Sequence, residues 1–366
     1  MYLNYNMNEN EINDKREKKD LRVITFSKYK KTDVKKKLID ELFKENLEQS
    51  IYWSIELICS GLFMDLWEII LQFISKYIHL GNPKIPIYIE LRFNNFKDII
   101  VNGYIGNELA LRNNDKIRKL FGEIICVLCI SPKRHGFNVI KINKNTDFNL
   151  TQLNNRLKAP STRYADDIFR KEDPKELFIS INEFAYHLSE ESRNLVDACF
   201  WIEWIIEFEV DCKSLKKKLE CERRENIPVD TKYQKDIIWI VWDIILTRAN
   251  NITSKNREIT KKIINSLLSL FCLHYGPGCK KKRRYILYFA ISIIIDNCNY
   301  NIQIFKNKEL IENIVGQVNK IYKQVKKSEV SPDTDYLFDN GIVGKSNLEK
   351  TVEKLDKMKE IMNVEI

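Results

Sequence analysis

The most continuous apolar pattern in the chain runs from Ser50 to Ile89 and has the period of an α-helix. Gly61 divides it into two segments, and Gly81-Asn82-Pro83 ends the second. In the first segment Tyr52 and Trp53 broaden the apolar stripe, so little of that helix is left for water. The pattern predicts a pair of helices around which the rest of the chain is organised.

Apolar positions at helical spacing continue on both sides of this pair. Helices are predicted near residue 33, at 86–103 and 117–130, and in the second half near 174–188, 193–210, 229–247, 257–275, 280–296, 307–327 and from about 347. The 11 glycines and 8 prolines are few for the tight turns of a sandwich or barrel. The predicted fold class is therefore all-α, as a multi-helix bundle or a helical-repeat array.

The two halves of the chain could be related to each other. Tyr52-Trp53 is echoed by Phe200-Trp201, and a Trp-acid-Ile-Ile-Leu run occurs at both Trp67 and Trp242. One explanation is a tandem duplication of a helical unit. The alternative is that unrelated core helices use similar residues, because the spacings between the matched pieces differ.

Breaks in the helical pattern divide the chain into five parts. The predicted parts are a disordered arm at 1–20, a helical domain at 21–135, a linker or surface-draped segment at 136–172, a second helical domain at 173–327, and a loop and C-terminal helix at 328–366. Asp173 followed by Pro174 is typical of a helix start, with the aspartate as N-cap.

Charge and cysteine content narrow the class of protein only slightly. Lys and Arg number 60 against 51 Asp and Glu, and the resulting net charge of +9 is compatible with anionic partners. The nine cysteines lie mostly in apolar helices without a preceding signal peptide, so we expect free thiols in a reducing compartment. The longest apolar run, Tyr285 to Ile295, is too short to span a membrane, and no membrane partner is expected.

The stretch from Gly341 to Ser346 ends like a phosphate-binding loop, in Gly344-Lys345-Ser346. The first glycine of that motif is replaced by Asp339, and few residues follow for the sheet that such a loop requires. Ser346 as the cap of a last helix, with Glu349 as its partner, explains the same residues. No nucleotide cofactor is predicted.

Other candidate chemistry is weak. The spacings of cysteine and histidine match no common zinc site, and no histidine has a recognisable nucleophilic partner. Glu203, Glu207, Glu209 and Asp211 beside Trp201 and Trp204 could form an acidic site, but the polar face of a half-buried helix explains them equally well. The sequence predicts no catalytic residue, no metal and no cofactor, and hence a protein that is not an enzyme.

The densest charge run precedes the apolar helix that starts near Tyr285. Its members are Lys280, Lys281, Lys282, Arg283 and Arg284. Cations in the first turn of a helix oppose its dipole, at about 0.3–1 kcal/mol each, unless an anion or neighbouring carboxylates offset them. A phosphate backbone would do so, and these five residues are the predicted nucleic-acid contact. A solvated loop end or a targeting address would look the same.

A series of residues in the first half resembles one known domain. The series consists of Ile51-Tyr52-Trp53, Gly61, Ser75, Ile78, Leu80, Pro83, Val127 to Lys133 and Leu157 to Pro160. Over about residues 33–165 it is similar to the C-terminal, clamp-loader-collar-like domain of the MgsA/RarA (Werner-helicase-interacting-protein type) AAA+ ATPases. Lys76 and Tyr77 replace that family's acidic pair, His79 replaces a glycine, and the ATPase module that precedes the domain is missing.

The resemblance implies a helical oligomerisation domain that works near replication forks. Its implied oligomer or core interface comprises Tyr52, Trp53, Trp67, Ser75, Ile78, Leu80 and Pro83. The chain also looks like uncharacterised proteins of large DNA viruses, which implies the host cytoplasm or nucleus, or the virion.

Together these features predict a non-enzymatic assembly or adaptor protein of DNA replication or repair. Its expected partners are a second copy or another protein, with nucleic-acid contact through residues 280–284. The alternative is a structural component of a large DNA virus particle. A stripe in the predicted helix 307–327, formed by Leu310, Ile314, Val318, Ile321 and Val325, could pack inward or pair between chains.

Overall fold

The structure, a computed structural model, describes residues 11–253, 255–305 and 308–330. These residues form helices and connecting loops, and within the described ranges the only β-type pairing is an isolated bridge between Ile24 and Lys30. The predicted all-α, multi-helix fold is confirmed.

The long helices lie along the described part of the chain in the predicted order. Two short helices at 144–147 and 150–153 are not predicted by the sequence pattern, and the helix predicted at 280–296 is divided into two. The helix bounds are α1 (Lys31–Phe43), α2 (Leu47–Cys59), α3 (Phe63–Phe73), α4 (Ile85–Val101), α5 (Asp115–Ile130), α6 (Lys144–Asp147), α7 (Leu150–Leu153), α8 (Phe178–His187), α9 (Leu195–Ser214), α10 (Ile238–Asn251), α11 (Arg257–Phe271), α12 (Cys279–Lys282), α13 (Arg284–Ile295) and α14 (Lys308–Lys326).

The predicted helix pair corresponds to α2 and α3. Gly61 separates them and has a φ of +68°, a conformation that glycine adopts without the strain that a Cβ would introduce. Trp67 of α3 is buried with its ring 5.0 Å from that of Phe93 and 5.3 Å from that of Phe121. This aromatic cluster fixes α3 against α4 and α5.

The end of α3 changes helical type. One π-helical turn spans Ile74–Ile78, and a 3-10 turn spans His79–Gly81. A Cβ on Gly81 would lie 2.3 Å from the carbonyl oxygen of Pro132, so only glycine allows the two backbones to approach this closely. The irregular turn therefore packs α3 against the segment that follows α5.

The two halves of the chain share one hydrophobic core. Helix α14 packs on α2 and α5 of the first half, where Val318 is fully buried against Gly122. Helix α11 packs on α4, and the Ser266 hydroxyl donates to Glu90 at 2.6 Å. The described part of the 307–327 stripe therefore packs inward, onto the domain that the sequence assigned to residues 21–135.

Residues 136–172 lie along helices α8 and α9. The backbone N–H groups of Lys158 and Ala159 donate to the Glu183 carboxylate at 2.9 and 3.0 Å, and the Trp204 indole donates to the carbonyl of Asp147. Buried side chains, including Ala165, tie this segment to the body of the protein.

The predictions for the two ends of the chain have different outcomes. Residues 11–20 are not the disordered arm that their composition predicts, because Ile12 is buried in the core and Asp14 pairs with Arg16. Their backbone contacts the segment that follows α14, since the N–H of Lys15 donates to the carbonyl of Val330. The phosphate-loop-like stretch 341–346 and the helix predicted after it lie outside the described residues.

The helix start predicted at Asp173 is wrong. A 3-10 turn spans Lys175–Leu177 and the α-helix begins at Phe178. The Asp173 carboxylate instead accepts two hydrogen bonds from the guanidinium of Arg224, at 2.8 and 2.7 Å. A long-range ion pair thus displaces the local capping role.

Candidate functional site

The basic run at 280–284 is placed by α12 and the first residue of α13, and most of it faces the protein interior. Lys280 is 2% exposed, with its ammonium 2.5 Å from Glu209 and 2.6 Å from Asp236. Arg283 is 3% exposed; it pairs with Glu68 and donates to the carbonyls of Phe271 and Leu273 at the end of α11. Neither cation is accessible to a phosphate backbone.

Two other cations of the run, Lys281 and Arg284, form ion pairs with carboxylates of α9. Lys281 lies 2.5 Å from Glu207, and Arg284 lies 2.7 Å from Glu203, which also accepts a hydrogen bond from Tyr288 at 2.7 Å. Burial raises the pKa of Glu203, and the nearby Arg284 opposes that shift.

The two charged motifs of the sequence therefore neutralise each other. The acidic row of α9, formed by Glu203, Glu207 and Glu209, pairs with Arg284, Lys281 and Lys280. Neighbouring carboxylates, and not a phosphate backbone, therefore offset these cations. The predicted nucleic-acid contact at 280–284 is wrong for Lys280 and Arg283, which are buried. Of the five residues in this run, only Lys282 is both solvent-exposed and without a described carboxylate within 4 Å. The acidic row is likewise engaged in ion pairs and offers no open acid/base site.

The interface residues taken from the resemblance divide into two groups. Five of them, Trp67, Ser75, Ile78, Leu80 and Pro83, are buried within the chain, in agreement with the core role and not with the oligomer role that the resemblance implies. Tyr52 and Trp53 differ, because they are only half-buried and lie on the outer face of α2.

The surface around Tyr52 and Trp53 includes a loop that the sequence analysis did not single out. In the loop of residues 22–31, the ring of Tyr29 contacts that of Trp53 edge-on at 5.4 Å. Trp53 in turn contacts Tyr52 at 5.1 Å, and partial burial beside Tyr29 raises the pKa of Tyr52 to about 12. Tyr29 is 43% exposed, so one side of this aromatic group faces solvent.

The loop is held in place by buried groups of α2. Glu56 accepts hydrogen bonds from both the backbone N–H and the hydroxyl of Ser27, each at 2.7 Å. The N–H of Phe26 donates to the Ser60 hydroxyl at 2.8 Å, and the Phe26 ring is fully buried. The exposed residues of the loop are thus presented from a fixed base.

Three cations lie in the same loop as Tyr29. Arg22, Lys28 and Lys30 are all exposed, and none has a carboxylate within 4 Å in the described part of the chain. We refer to Arg22, Lys28, Tyr29, Lys30, Tyr52 and Trp53 as the aromatic-basic surface. Val23, 70% exposed, and Ile24, 47% exposed, extend it with apolar side chains.

The described residues contain no group of three or more His, Cys, Asp or Glu side chains that could hold a metal ion. All nine cysteines are free, and burial raises the pKa of Cys126 to about 12, which makes its thiol a poor nucleophile at neutral pH. Among the described helices, none combines the length and apolar character that crossing a bilayer requires.

Comparison with known proteins adds no relative. Neither a protein-family model, nor a curated protein, nor a solved structure matches the chain. The aromatic-basic surface must therefore be interpreted from its own chemistry.

Proposed function

We propose that this protein is a non-enzymatic helical assembly or adaptor protein of DNA replication or repair that contacts single-stranded nucleic acid through the aromatic-basic surface. The observation that carries the proposal is the accessible pair Tyr29 and Trp53 beside cations that no described carboxylate neutralises. The role in replication or repair rests on the resemblance of residues 33–165 to the collar-like domain.

The chemistry of this surface fits single strands better than duplex. Exposed aromatic faces stack on unpaired bases, and each such contact is worth about 1–3 kcal/mol in proteins that bind single strands. Arg22, Lys28 and Lys30 can contact the phosphates between stacked bases, which makes binding salt-dependent. A duplex would present its bases only through the grooves.

The fluorescence of Trp53 can be used to measure binding of an oligonucleotide directly. The other five tryptophans are 5% exposed or less, so quenching of tryptophan fluorescence by an added oligonucleotide reports mainly on Trp53. We expect an oligo(dT) of about 20 nucleotides to quench this fluorescence at low salt and expect Trp53→Phe to remove the quenching. Quenching that persists in Trp53→Phe would place the bound strand elsewhere.

Substitution of Tyr29 tests the stacking contribution. Tyr29→Ala should raise the Kd for the oligonucleotide by about 5-fold to 150-fold, the equivalent of one lost base stack. Phe43→Ala is the matched control, because Phe43 is an aromatic residue of similar exposure, 44%, that contacts Tyr77 and His135 instead. Equal losses for the two variants would count against a specific role of the aromatic-basic surface.

A further inference from the structure

Two segments that are far apart in the sequence, residues 12–16 and 328–330, pair with each other, and we call them the clasp. The N–H of Lys15 donates to the carbonyl of Val330 at 3.1 Å, and the N–H of Val330 donates to the Asp14 carboxylate at 2.9 Å. Asp14 and Val330 are 316 residues apart along the chain. The side chain of Asp14 is fully buried, so this pairing belongs to the folded body of the protein.

Arg16 connects the clasp to the loop of residues 22–31. Its guanidinium donates to the carbonyl of Ser328 at 3.2 Å and to the carbonyl of Phe26 at 2.9 Å, and it lies 4.9 Å from the centre of the Phe26 ring. Two nitrogens of the same guanidinium donate to the Asp14 carboxylate, at 2.9 and 2.5 Å, which fixes its orientation. Arg16 therefore holds the loop and the second segment of the clasp at the same time.

The residue that Arg16 holds, Phe26, is the point at which the loop is anchored. The N–H of Phe26 donates to a hydroxyl of α2, and its carbonyl accepts from Arg16. Phe26 lies in the tight turn that leads to Tyr29, because the N–H of Lys28 donates to the carbonyl of Thr25 at 2.9 Å. Without Arg16, the contacts with α2 would remain to fix this turn, and the Phe26 carbonyl would lose its described partner.

The turn has a backbone conformation that requires support from its surroundings. Lys28 has a φ of +66°, in the region that favours glycine, so its backbone is strained. Such conformations persist where the contacts around them determine the backbone path. Tyr29 follows Lys28 directly, so the position of its ring against Trp53 depends on the contacts that hold the turn.

A buried cation favours the closed clasp. Arg112, which precedes α5, is 5% exposed and donates to the carbonyl of Cys59 at the long distance of 3.4 Å. Burial lowers the pKa of Arg112, and Asp14 and Glu329 of the clasp oppose that shift. Opening of the clasp would take both carboxylates away from a buried guanidinium, which is unfavourable.

We propose that Arg16 is a positioning residue for the aromatic-basic surface, and that the closed clasp holds Tyr29 against Trp53 in the arrangement that binds a single strand. Arg16 acts through Phe26 and not by its own contact with the strand. The inference rests on the proposed function, because it concerns the same surface.

The first test measures the free protein, without nucleic acid. Quenching of tryptophan fluorescence by acrylamide should rise about 2-fold in Arg16→Gln, because release of the loop exposes the half-buried ring of Trp53. Arg156→Gln is the matched control. Arg156 also lies over an aromatic ring, 4.5 Å from the centre of Phe200 on α9, and its loss removes the same charge away from the clasp. All variants are compared well below the onset of their thermal unfolding.

The second test separates positioning from charge. Arg16→Gln should raise the Kd for oligo(dT) by about 5-fold, the lower end of one lost base stack. Asp14→Asn makes the protein more positive, so an effect of charge alone would strengthen binding to phosphate. Because Asp14 orients Arg16 and binds Val330, the clasp predicts the opposite, a higher Kd together with increased acrylamide quenching.

The two measurements distinguish failure of this inference from failure of the proposed function. Acrylamide quenching that is unchanged in Arg16→Gln and Asp14→Asn, or that rises equally in Arg156→Gln, would overturn the positioning role. Tighter oligo(dT) binding by Asp14→Asn would overturn it as well. Increased quenching in both clasp variants, with no binding of oligo(dT) by the wild type, would count against the proposed function and support the role of Arg16 in placing the loop.

Discussion

Arg224 and Arg248 lie in the same half of the molecule and differ in how their charge is balanced. Both oxygens of Asp173 accept hydrogen bonds from Arg224, whose Nε also donates to Asp243 at 2.7 Å. Removing one partner of a buried ion pair leaves the other charge uncompensated, which typically costs about 3–5 kcal/mol. Arg224→Met should therefore lower the free energy of unfolding by roughly that amount.

Arg248→Met is the matched comparison, since Arg248 has no carboxylate within 4 Å among the described residues and interacts with Asp167 and Glu191 only at longer range. We expect it to lower the unfolding free energy much less than Arg224→Met does. Urea unfolding followed by circular dichroism measures both variants. Losses of similar size for the two would show that packing of the side-chain stems, and not charge, determines the outcome.

His79 is strained and buried, and its protonation should couple to stability. Its φ is +47°, in the region that favours glycine. The ring stacks on Phe289 at 4.8 Å, and burial, with a smaller contribution from Arg134, lowers its pKa to about 4. The folded protein thus holds the neutral ring where the unfolded chain would bind a proton.

The sign of this linkage follows from the lowered pKa. The contribution of His79 is fully present above pH 6.5 and is lost as the pH falls towards 4, amounting to about 2 kcal/mol between pH 7.5 and pH 5. His79→Gln should flatten this part of the stability profile. An unchanged difference between pH 7.5 and pH 5 in the variant would mean that other groups cause the acid sensitivity.

The ion-pair partners of the basic run could not be predicted from the sequence. The run at 280–284 is visible in the sequence, but its partners Glu68 and Glu203 lie 215 and 81 residues away along the chain. Some clusters of cations bind phosphate, and others are neutralised by carboxylates of the same chain. The sequence cannot distinguish the two, because both consist of consecutive basic residues. The pairing depends on the fold that brings α9, α3 and α13 together.

Helix α14 packs against α5 so closely at Gly122 that no side-chain atom fits there. A Cβ on Gly122 would lie 2.5 Å from a methyl of Val318, closer than packed carbon atoms allow. Gly122→Ala should therefore destabilise the protein by about 1–3 kcal/mol despite the better helix propensity of alanine. Denaturant unfolding gives the magnitude.

Gly316→Ala supplies the control on the partner helix. Nothing lies within 4 Å of the position of its Cβ, so the substitution should stabilise α14 by about 0.5–1 kcal/mol. In a double-mutant cycle, Val318→Ala should recover part of the Gly122→Ala loss. A loss that Val318→Ala does not reduce would mean that the two residues do not meet.

The sequence predicts a helix well where the apolar spacing extends over many residues. It predicts a helix poorly where a contact with a distant part of the chain determines the helix end. The helix predicted at 307–327 spans Lys308–Lys326, and the one predicted at 257–275 begins at Arg257 and ends at Phe271. The helix predicted at 229–247 begins only at Ile238. The loop before it carries Arg224, whose pairing with Asp173 has no local pattern in the sequence.

The whole molecule behaves as one packing unit in this structure. The surfaces of α2 and α5 that α14 covers would be exposed in a chain that ends at residue 172, together with the face of α4 that contacts α11. We expect such a fragment to lack a cooperative urea transition, in contrast to the full chain. A sharp transition for the fragment would show that residues 21–135 form an independent domain, as the sequence alone suggested.

Placement of the aromatic-basic surface is also a property of the whole molecule. Tyr52 and Trp53 were singled out from the sequence, but the loop that brings Tyr29, Lys28 and Lys30 beside them has no helical pattern and few residues. Its position follows from the buried contacts of Phe26 and Ser27 with α2. Such contacts between a loop and a helix leave no periodic trace in the sequence.

Contact between the aromatic-basic surface and a single strand is decided by the salt dependence of oligo(dT) binding. It is measured for the wild-type chain, Lys28→Gln/Lys30→Gln and the control Lys262→Gln/Lys282→Gln. The two variants lose the same charge, and all four lysines are exposed. We expect the magnitude of the slope of log K against log salt to fall by about 1.4 for Lys28→Gln/Lys30→Gln, about 0.7 for each lost phosphate contact, and to stay unchanged for the control. No binding by the wild type at low salt, or the same change of slope in both variants, would contradict this expectation.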